Sequence, residues 1–369
     1  MTTVAQPPLS VVAEDAADDL DRAGRRRSTA VWIGGLSVAL AVTMTVAVGL
    51  GPVWIAPGTV LEIVGHRVLG APGALSATTT EANIVWLVRM PRVLLGAVVG
   101  AALAVSGVVL QAMVRNVLAD PYLLGVTSGA SFGAALAILF GVGTGVGAGA
   151  SALSVSAFAG ALGATAAVFA LARLGGRVTA IRLVMAGVAV GYLLAAATSF
   201  VIFASDSRDG TRAVLFWLLG SLGKARWSEL ALPALAVAAS VAVLYVWGRR
   251  LDALALGDDS ALTLGVDPAR FRAAALVAVA LCIGAVVAVA GAIGFVGLVV
   301  PHVARRFVGA GHRRVLVVAA LLGAIFVVCA DVVARVAFAP RELPLGIVTA
   351  VVGAPFLLLL VRRFHAAAT

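Results

Sequence analysis

Long apolar runs separated by short polar stretches dominate this chain. They fall at Ala30–Leu50, Val93–Met113, Tyr122–Gly141, Ala152–Leu174, Leu183–Ala204, Leu230–Gly248, Ala273–Ala290, Ile293–Val308, Val315–Val336 and Leu345–Val361. Most approach the ~20 residues that an α-helix needs to cross hydrocarbon. The pattern therefore predicts an all-α polytopic membrane protein with about ten transmembrane helices. The eighth run is short and interrupted by Gly294, Gly297 and Pro301, which predicts a bent or partly spanning helix. Ahead of the first run, residues 1–29 are polar, with acids from Glu14 to Asp21 and then Arg25-Arg26-Arg27. They read as a disordered cytoplasmic tail ending in a basic anchor, in front of a transmembrane domain over 30–369. The first run is longer than a signal-peptide core and lacks an A-x-A-like site, so it reads as an uncleaved span. Between the first two runs, Gly51–Val88 is amphipathic and turn-rich, with Pro52, Pro57, Pro72 and a Ser/Thr cluster at Ser76–Thr80.

One connection is patterned rather than merely polar. Arg249–Arg272 reads RRLDALALGDDSALTLGVDPARFR. Gly257-Asp258-Asp259-Ser260 offers capping groups ahead of Ala261–Leu264, Gly265 is a stop, and Pro268 keeps the helix from resuming at once. A short helix with apolar Leu254, Leu256, Leu262 and Leu264, flanked by arginines, suits a docking element at a membrane surface. An ordinary loop helix between two spans fits the same letters.

Composition supports the membrane reading: 62% of residues are hydrophobic and 12% charged, against roughly 25% charged in soluble domains. Mean hydropathy is +1.09. The net charge of +10 does not imply nucleic-acid binding, because the basic residues are scattered between apolar runs without an aromatic stacking platform. With both termini cytoplasmic, eighteen of the 27 basic residues fall on inner segments and nine outside. That bias obeys the positive-inside rule and places Arg249–Arg272 in the cytoplasm. Cys282 and Cys329 sit within apolar runs and read as small buried hydrophobes. A faint echo of Leu103–Gly107 in Val287–Gly291 fits two related halves flanking the patterned loop.

Four stretches carry candidate chemistry. Arg89-Met90-Pro91-Arg92 sets two guanidiniums beside a rigid proline, a patch suited to carboxylates of a docking protein; headgroup anchoring is the plainer alternative. Gln111–Gly125 holds a tight polar turn at Asn116, Asp120 and Pro121, where Asp120 can cap the next helix. Gly291–Arg306 places glycines at 291, 294 and 297 for close helix approach, and Pro301 frees a backbone carbonyl. His302 has no second His, Cys or carboxylate near it at ligand spacing, so it reads as structural and no metal site is predicted. Asp331 and Arg335, spaced i,i+4, can pair along one helix; a charge at the centre of a span costs about 2.5–3.5 kcal/mol. A P-loop is excluded: Lys224, the single lysine, follows Gly223, but Leu218 stands where the first glycine belongs and Ala225 replaces the hydroxyl residue. No catalytic residue is predicted, and any ATP-driven work comes from a partner.

Five strings in order, RMPRVLLGAVVGAALAVSGVVLQ, NVLADPYLLGVTSGA, LALGDDSALTLGV, GAIGFVGLVVPHVAR and ELPLGIVTAVVGAPF, resemble the FecCD permease family. The resemblance runs from about Trp32 to Arg363; Val117, where the family usually has proline, is a small departure. It implies the type II ABC importer permease fold and a multi-pass, non-enzymatic subunit of the cytoplasmic membrane. The implied task is import of a metal chelate by ATP-driven alternating access, with iron(III)-siderophore as the first expectation and haem or cobalamin as alternatives. The implied partners are a second permease subunit (identical or paralogous), two ABC ATPase subunits that use ATP and Mg, and an extracytoplasmic substrate-binding protein. This chain would bind no cofactor itself.

The resemblance also assigns positions. Leu254, Gly257, Asp258, Asp259, Ser260, Ala261, Leu262, Leu264, Gly265 and Val266 would lie in the ATPase-coupling segment. Arg89, Arg92 and Arg335 would meet acidic residues of the binding protein, and Val105, Ser106, Gly107 and Gly294 would line the pathway. Two rival classes make different demands. An ion-coupled secondary transporter needs a relay of intramembrane acids or histidines, for which Asp331 is the main candidate. A prenyl-lipid enzyme needs a further acid near Asp258-Asp259 to hold a metal–diphosphate, and none stands at that spacing.

Overall fold

The computed structural model describes residues 9–70, 77–143, 150–174, 176 and 178–366. Among them every regular element is helical. The helices are α1 (Leu9–Gly49), α2 (Pro57–Leu69), α3 (Thr79–Asn83), α4 (Met90–Val114), α5 (Val126–Phe140), α6 (Ala150–Arg173), α7 (Ala180–Phe203) and α8 (Arg208–Leu218). There follow α9 (Trp227–Val246), α10 (Gly248–Ala255), α11 (Asp258–Thr263), α12 (Pro268–Ala290), α13 (Val296–Val308), α14 (His312–Val336) and α15 (Leu345–Ala366). Every predicted apolar run lies largely in one of them. By length and hydropathy, seven segments could cross hydrocarbon: Arg27–Gly49, Thr79–Val114, Ala152–Arg173, α7, α9, α12 and α14. Val126–Phe140 and Leu345–Leu360 are shorter apolar helices.

Several sequence expectations change. The segment expected to be a disordered tail is helical from Leu9 onward, continuous with the first span, in keeping with its Ala and Arg residues; residues 1–8 lie outside the described residues. Gly51–Val88, expected as a turn-rich stretch, contains α2 and a helical entry to the second span. That entry starts on a capping box: Thr78 accepts from the Glu81 amide, and the Glu81 carboxylate accepts from the Thr78 amide at 2.8 Å. From there α3 passes through one π-helical turn, Ile84–Arg89, directly into α4, so that Thr79–Val114 is a 36-residue helix. The third span begins later than its apolar run. Asp120 caps a 3-10 turn at Pro121–Leu124, Gly125 adopts φ 70°, and only then does α5 start.

The eighth run behaves as its glycines and proline predict. α12 ends at Ala290, residues 291–295 are not helical, and α13 has 13 residues, about 20 Å at 1.5 Å per residue. That is well short of the ~30 Å hydrocarbon core. The echo between Leu103–Gly107 and Val287–Gly291 does not extend to local structure: the first is the interior of α4, the second the end of α12.

α4 is the axis of the bundle. It packs against α9, α12, α13 and α14, and α5 packs closely on α6. The close approach of α4 to α14 depends on two facing glycines. A Cβ on Gly100 would collide with the Gly323 carbonyl, and one on Gly323 with the Gly100 carbonyl. Backbone contact of this kind gives van der Waals and weak polar attraction where no hydrophobic driving force separates helix from lipid. Gly100→Ile should therefore markedly lower the melting temperature of the purified protein in detergent. Gly34→Ile, where a Cβ meets nothing within 4 Å, should leave it unchanged.

Candidate functional site

The patterned loop folds into two short helices at the arginine-rich end of the bundle. Trp247 ends α9, α10 follows at once, and Gly257 (φ 121°) turns the chain into α11. Gly265 (φ 76°) ends α11, and the amide of Val266 closes back on the Ala261 carbonyl at 2.8 Å. Pro268 does not delay the next helix; it occupies its first turn, while the Asp267 carboxylate accepts from the amides of Ala269 and Arg270. The loop thus has two faces. Leu254, Gly257 and Ala261 are buried, and Val266 packs partly against the core. Leu256, Leu262 and Leu264 are exposed, at 70%, 45% and 62%. Asp259 and Gly265 are also exposed, and Asp258 and Ser260 are half-buried. Of the expected coupling residues, Leu254, Gly257 and Ala261 therefore form the seat of the helix and not its outer surface.

Two polar ties hold this loop. Arg272, 1% exposed, makes a paired bond to the Asp258 carboxylate at 2.6 and 2.9 Å and donates through Nε to the Met113 carbonyl at 3.2 Å. In the sequence Arg272 is one more basic residue of an inner loop; its burial comes from contacts with residues distant in the chain, such as Met113. Asp252 on α10 accepts from the His312 amide at 2.9 Å and pairs with His312 Nδ1 at 2.6 Å. Burial alone would raise the Asp252 carboxyl, but its hydrogen bonds to His312 outweigh this and hold it below the ordinary value. This carboxylate's contribution is thus present at neutral pH and lost as pH falls through the lowered pKa.

At the opposite end lies a buried charge cluster. Arg92 Nε and Nη2 bond the Asp331 carboxylate at 3.0–3.1 Å, and Nη1 bonds Glu342 at 2.9 Å. Arg335 pairs with Asp331 at 3.1 Å, confirming the i,i+4 contact, and donates to the carbonyls of Ala47 and Leu50. Arg89 donates to the carbonyls of Val48, Gly49 and Val53, where α1 ends. All three arginines are buried, at 5–7% exposure. The expected open cationic patch is therefore not formed: these guanidiniums are consumed inside the chain, fastening α1, α4 and α14 together. Nearby, an outer cavity of about 550 Å³ is lined by Asp209, Arg212, Trp217, Lys224, Glu229 and Glu342, among others.

Between the two ends, the interrupted span is tied to α4. Pro301 cannot donate to the Gly297 carbonyl, and Gln111 Nε2 lies 3.4 Å from that oxygen and from the Leu298 oxygen. Gln111 Oε1 accepts from Arg305 at 2.6 Å. Gly107 abuts the same Gly297 carbonyl, leaving no room for a Cβ. In the break, the Tyr122 hydroxyl accepts from the Ile293 amide and donates to its carbonyl, at 2.6 and 2.5 Å. Asp120, just before it, accepts from the Tyr122 amide at 2.9 Å. The expected pathway residues need correcting accordingly. Val105 and Ser106 are fully buried and Gly107 is a helix-contact residue, so none of the three offers a surface to a pathway between subunits. Gly294 is half-buried. No group of three or more His, Cys, Asp or Glu residues suited to a metal occurs among the described residues.

A helical bundle apolar along its length, with its charges gathered at the ends and hydrogen-bonded where buried, is a multi-pass integral membrane protein. The FecCD transport family model matches residues 39–363, and the chain belongs to that family of ABC importer permease subunits, which are not themselves enzymes. The chain is 44% identical over 294 residues to the cobalamin import permease BtuC of Halobacterium salinarum, covering 79% of this chain and 77% of the relative. It is 41% identical over 280 residues to the hemin transport permease HmuU of Yersinia pestis, with 76% and 83% covered. The uncharacterised permease YvrB of Bacillus subtilis is 38% identical over 343 residues, covering 92% of this chain and 96% of its own. A solved ABC transporter, assigned to the metal-chelate type and inward-facing, matches with a TM-score of 0.77 at 31% identity, over 90% of this chain and 98% of that one.

Asp331 is the partner of two buried guanidiniums. Asp331→Ala should destabilise the protein by about 3–5 kcal/mol, seen as a large fall in unfolding midpoint in detergent. Glu342→Ala, with a half-exposed carboxylate, should have a much smaller effect.

Proposed function

We propose that this permease carries a metal chelate inward by ATP-driven alternating access. The observation that carries the reading is the short helix α11, which presents Leu262 and Leu264 outward beside Leu256 at the arginine-rich end of the bundle. Exposed apolar side chains on a polar, capped helix outside the spans suit a protein groove better than water. ATP and Mg act on the partner ATPases, since this chain lacks a P-loop. The working assembly is two permease subunits, two ATPase subunits and an extracytoplasmic binding protein. Buried Arg89, Arg92 and Arg335 serve the binding protein's docking face by fixing the outer ends of α1, α4 and α14. ATP-driven closure of the ATPases moves α11 and re-orients the spans, opening the cavity to one side at a time.

The chelate class is supported by the relatives, whose printed cargoes are cobalamin and hemin, and by the metal-chelate assignment of the solved neighbour. Those names favour a metal-bearing macrocycle over the iron(III)-siderophore first expected. An ion-coupled transporter is disfavoured by Asp331, which is taken up by two arginines and is not poised in a relay.

Two measurements test this reading. Leu262→Asp or Leu264→Asp should reduce ATP-dependent uptake about tenfold or more, while membrane insertion stays normal; unchanged uptake would sink the coupling surface. Titrating the cognate binding protein with haem, cobalamin and ferric siderophores should show tight binding of a macrocycle. Tight binding of a siderophore alone would reverse that choice.

A further inference from the structure

We propose that Arg272 is a positioning residue that locks α11 to the end of α4, so that displacement of the loop helix is delivered to the axis of the bundle. Its guanidinium uses all three nitrogens. Nη1 and Nη2 grip the Asp258 carboxylate of α11 at 2.9 and 2.6 Å, and Nε holds the Met113 carbonyl at 3.2 Å. That carbonyl belongs to the last turn of α4, where carbonyls lack helical partners. One buried side chain, itself on α12, thus joins three elements. α11 otherwise packs on α10 and α12, and Arg272 supplies a polar tie from it to the end of α4.

What α4 does with such a push follows from its other contacts. It meets α13 through Gly107 against Gly297 and Gln111 against Arg305, and its far end holds Asp331 of α14 through Arg92. A 25-residue helix, about 37 Å long at 1.5 Å per residue, therefore runs from the clamp at one end to the buried cluster at the other. The paired fork matters here because a planar guanidinium fixes direction as well as distance, which an ammonium does not. Burial of the guanidinium limits the access of water to it, while the Asp258 side chain keeps 35% exposure.

This inference rests on the ATPase-coupling reading of α11, and the test separates the two. The full transporter is assembled with its ATPase and binding-protein partners in liposomes, with cobalamin, haemin and ferric siderophore each offered as cargo. Arg272→Lys keeps the charge and loses the fork. The expected result is unchanged co-purification of the ATPase, with cargo moved per ATP hydrolysed lowered about tenfold or more. Asp258→Asn should lower the ratio likewise, and the double substitution should add little, because both act through one contact. A wild-type ratio in Arg272→Lys, or lost uptake that only tracks lost folded protein, overturns the proposal. Failure of the wild-type chain to co-purify an ATPase would count against the coupling reading instead. A second readout leaves the clamp intact: spin labels on Val117→Cys and Thr263→Cys, with Cys329→Ser, in nucleotide-free and ADP–vanadate-trapped transporter. A constant separation is expected; a change of several ångströms between the two states overturns the clamp.

Discussion

A backbone polar group left open inside an apolar bundle must find a partner within the protein, since hydrocarbon offers none. Much of this architecture follows from that constraint. The break between α12 and α13 opens the helical ladder, and neighbouring segments fill it. The Tyr122 hydroxyl takes both polar groups of Ile293, and the Ser221 amide takes the Ala290 carbonyl. The start of α15 joins the same region, with Leu345 and Gly346 donating to the carbonyls of Gly220 and Leu219. Pro301 opens the ladder once more, and Gln111 comes to the freed oxygen. The interrupted span is thus held by residues far away in sequence, with α4 contributing Gln111 at the level of Pro301.

The same logic governs the charges. Arg89 and Arg335 complete the carbonyls where α1 stops, and Arg272 completes one where α4 stops. Each arginine replaces solvent at a helix end that the packing has enclosed. Carboxylate partners keep the charges of Arg335 and Arg272 from being isolated in low dielectric, whereas Arg89 is held by three backbone carbonyls. Charge in this protein is accordingly a fastening at both ends of α4, while its middle is closed by glycine against backbone. That division explains how a helix so deeply buried can be apolar over most of its length and still have defined register against α13 and α14.

The sequence made the apolar runs readable because their length alone separates them from soluble helices. The loop helix was equally readable, because Gly257 and Gly265 bracket it. Asp258, Asp259 and Ser260, though, fall in its first turn, and the N-cap, Gly257, has no side-chain cap. What failed were features needing three dimensions. Amphipathic α2 and α8 resemble loops beside the long apolar runs, and so does α3, although Thr78 and Glu81 stand in capping-box register at its start. Arg-Met-Pro-Arg looked like surface chemistry because the acid that buries Arg92 lies 239 positions away. Nor could periodicity say that Leu254 faces inward while Leu262 and Leu264 face outward, since α11 has only six residues. Val105, Ser106 and Gly107 carry a related ambiguity: small residues suit both a channel wall and a helix seam.

One feature of the outer cavity has a practical side. Lys224 is the chain's single lysine, it is exposed, and it lines the cavity beside Glu229 and Glu342. Every other cationic side chain is an arginine, which does not react with amine-directed reagents at neutral pH. An acylating dye or cross-linker therefore has one lysine side chain to reach in the unmodified subunit, at the rim of this cavity. Besides the α-amine of the chain's start, that lysine is the handle the native protein supplies for fluorescence or mass-spectrometric mapping.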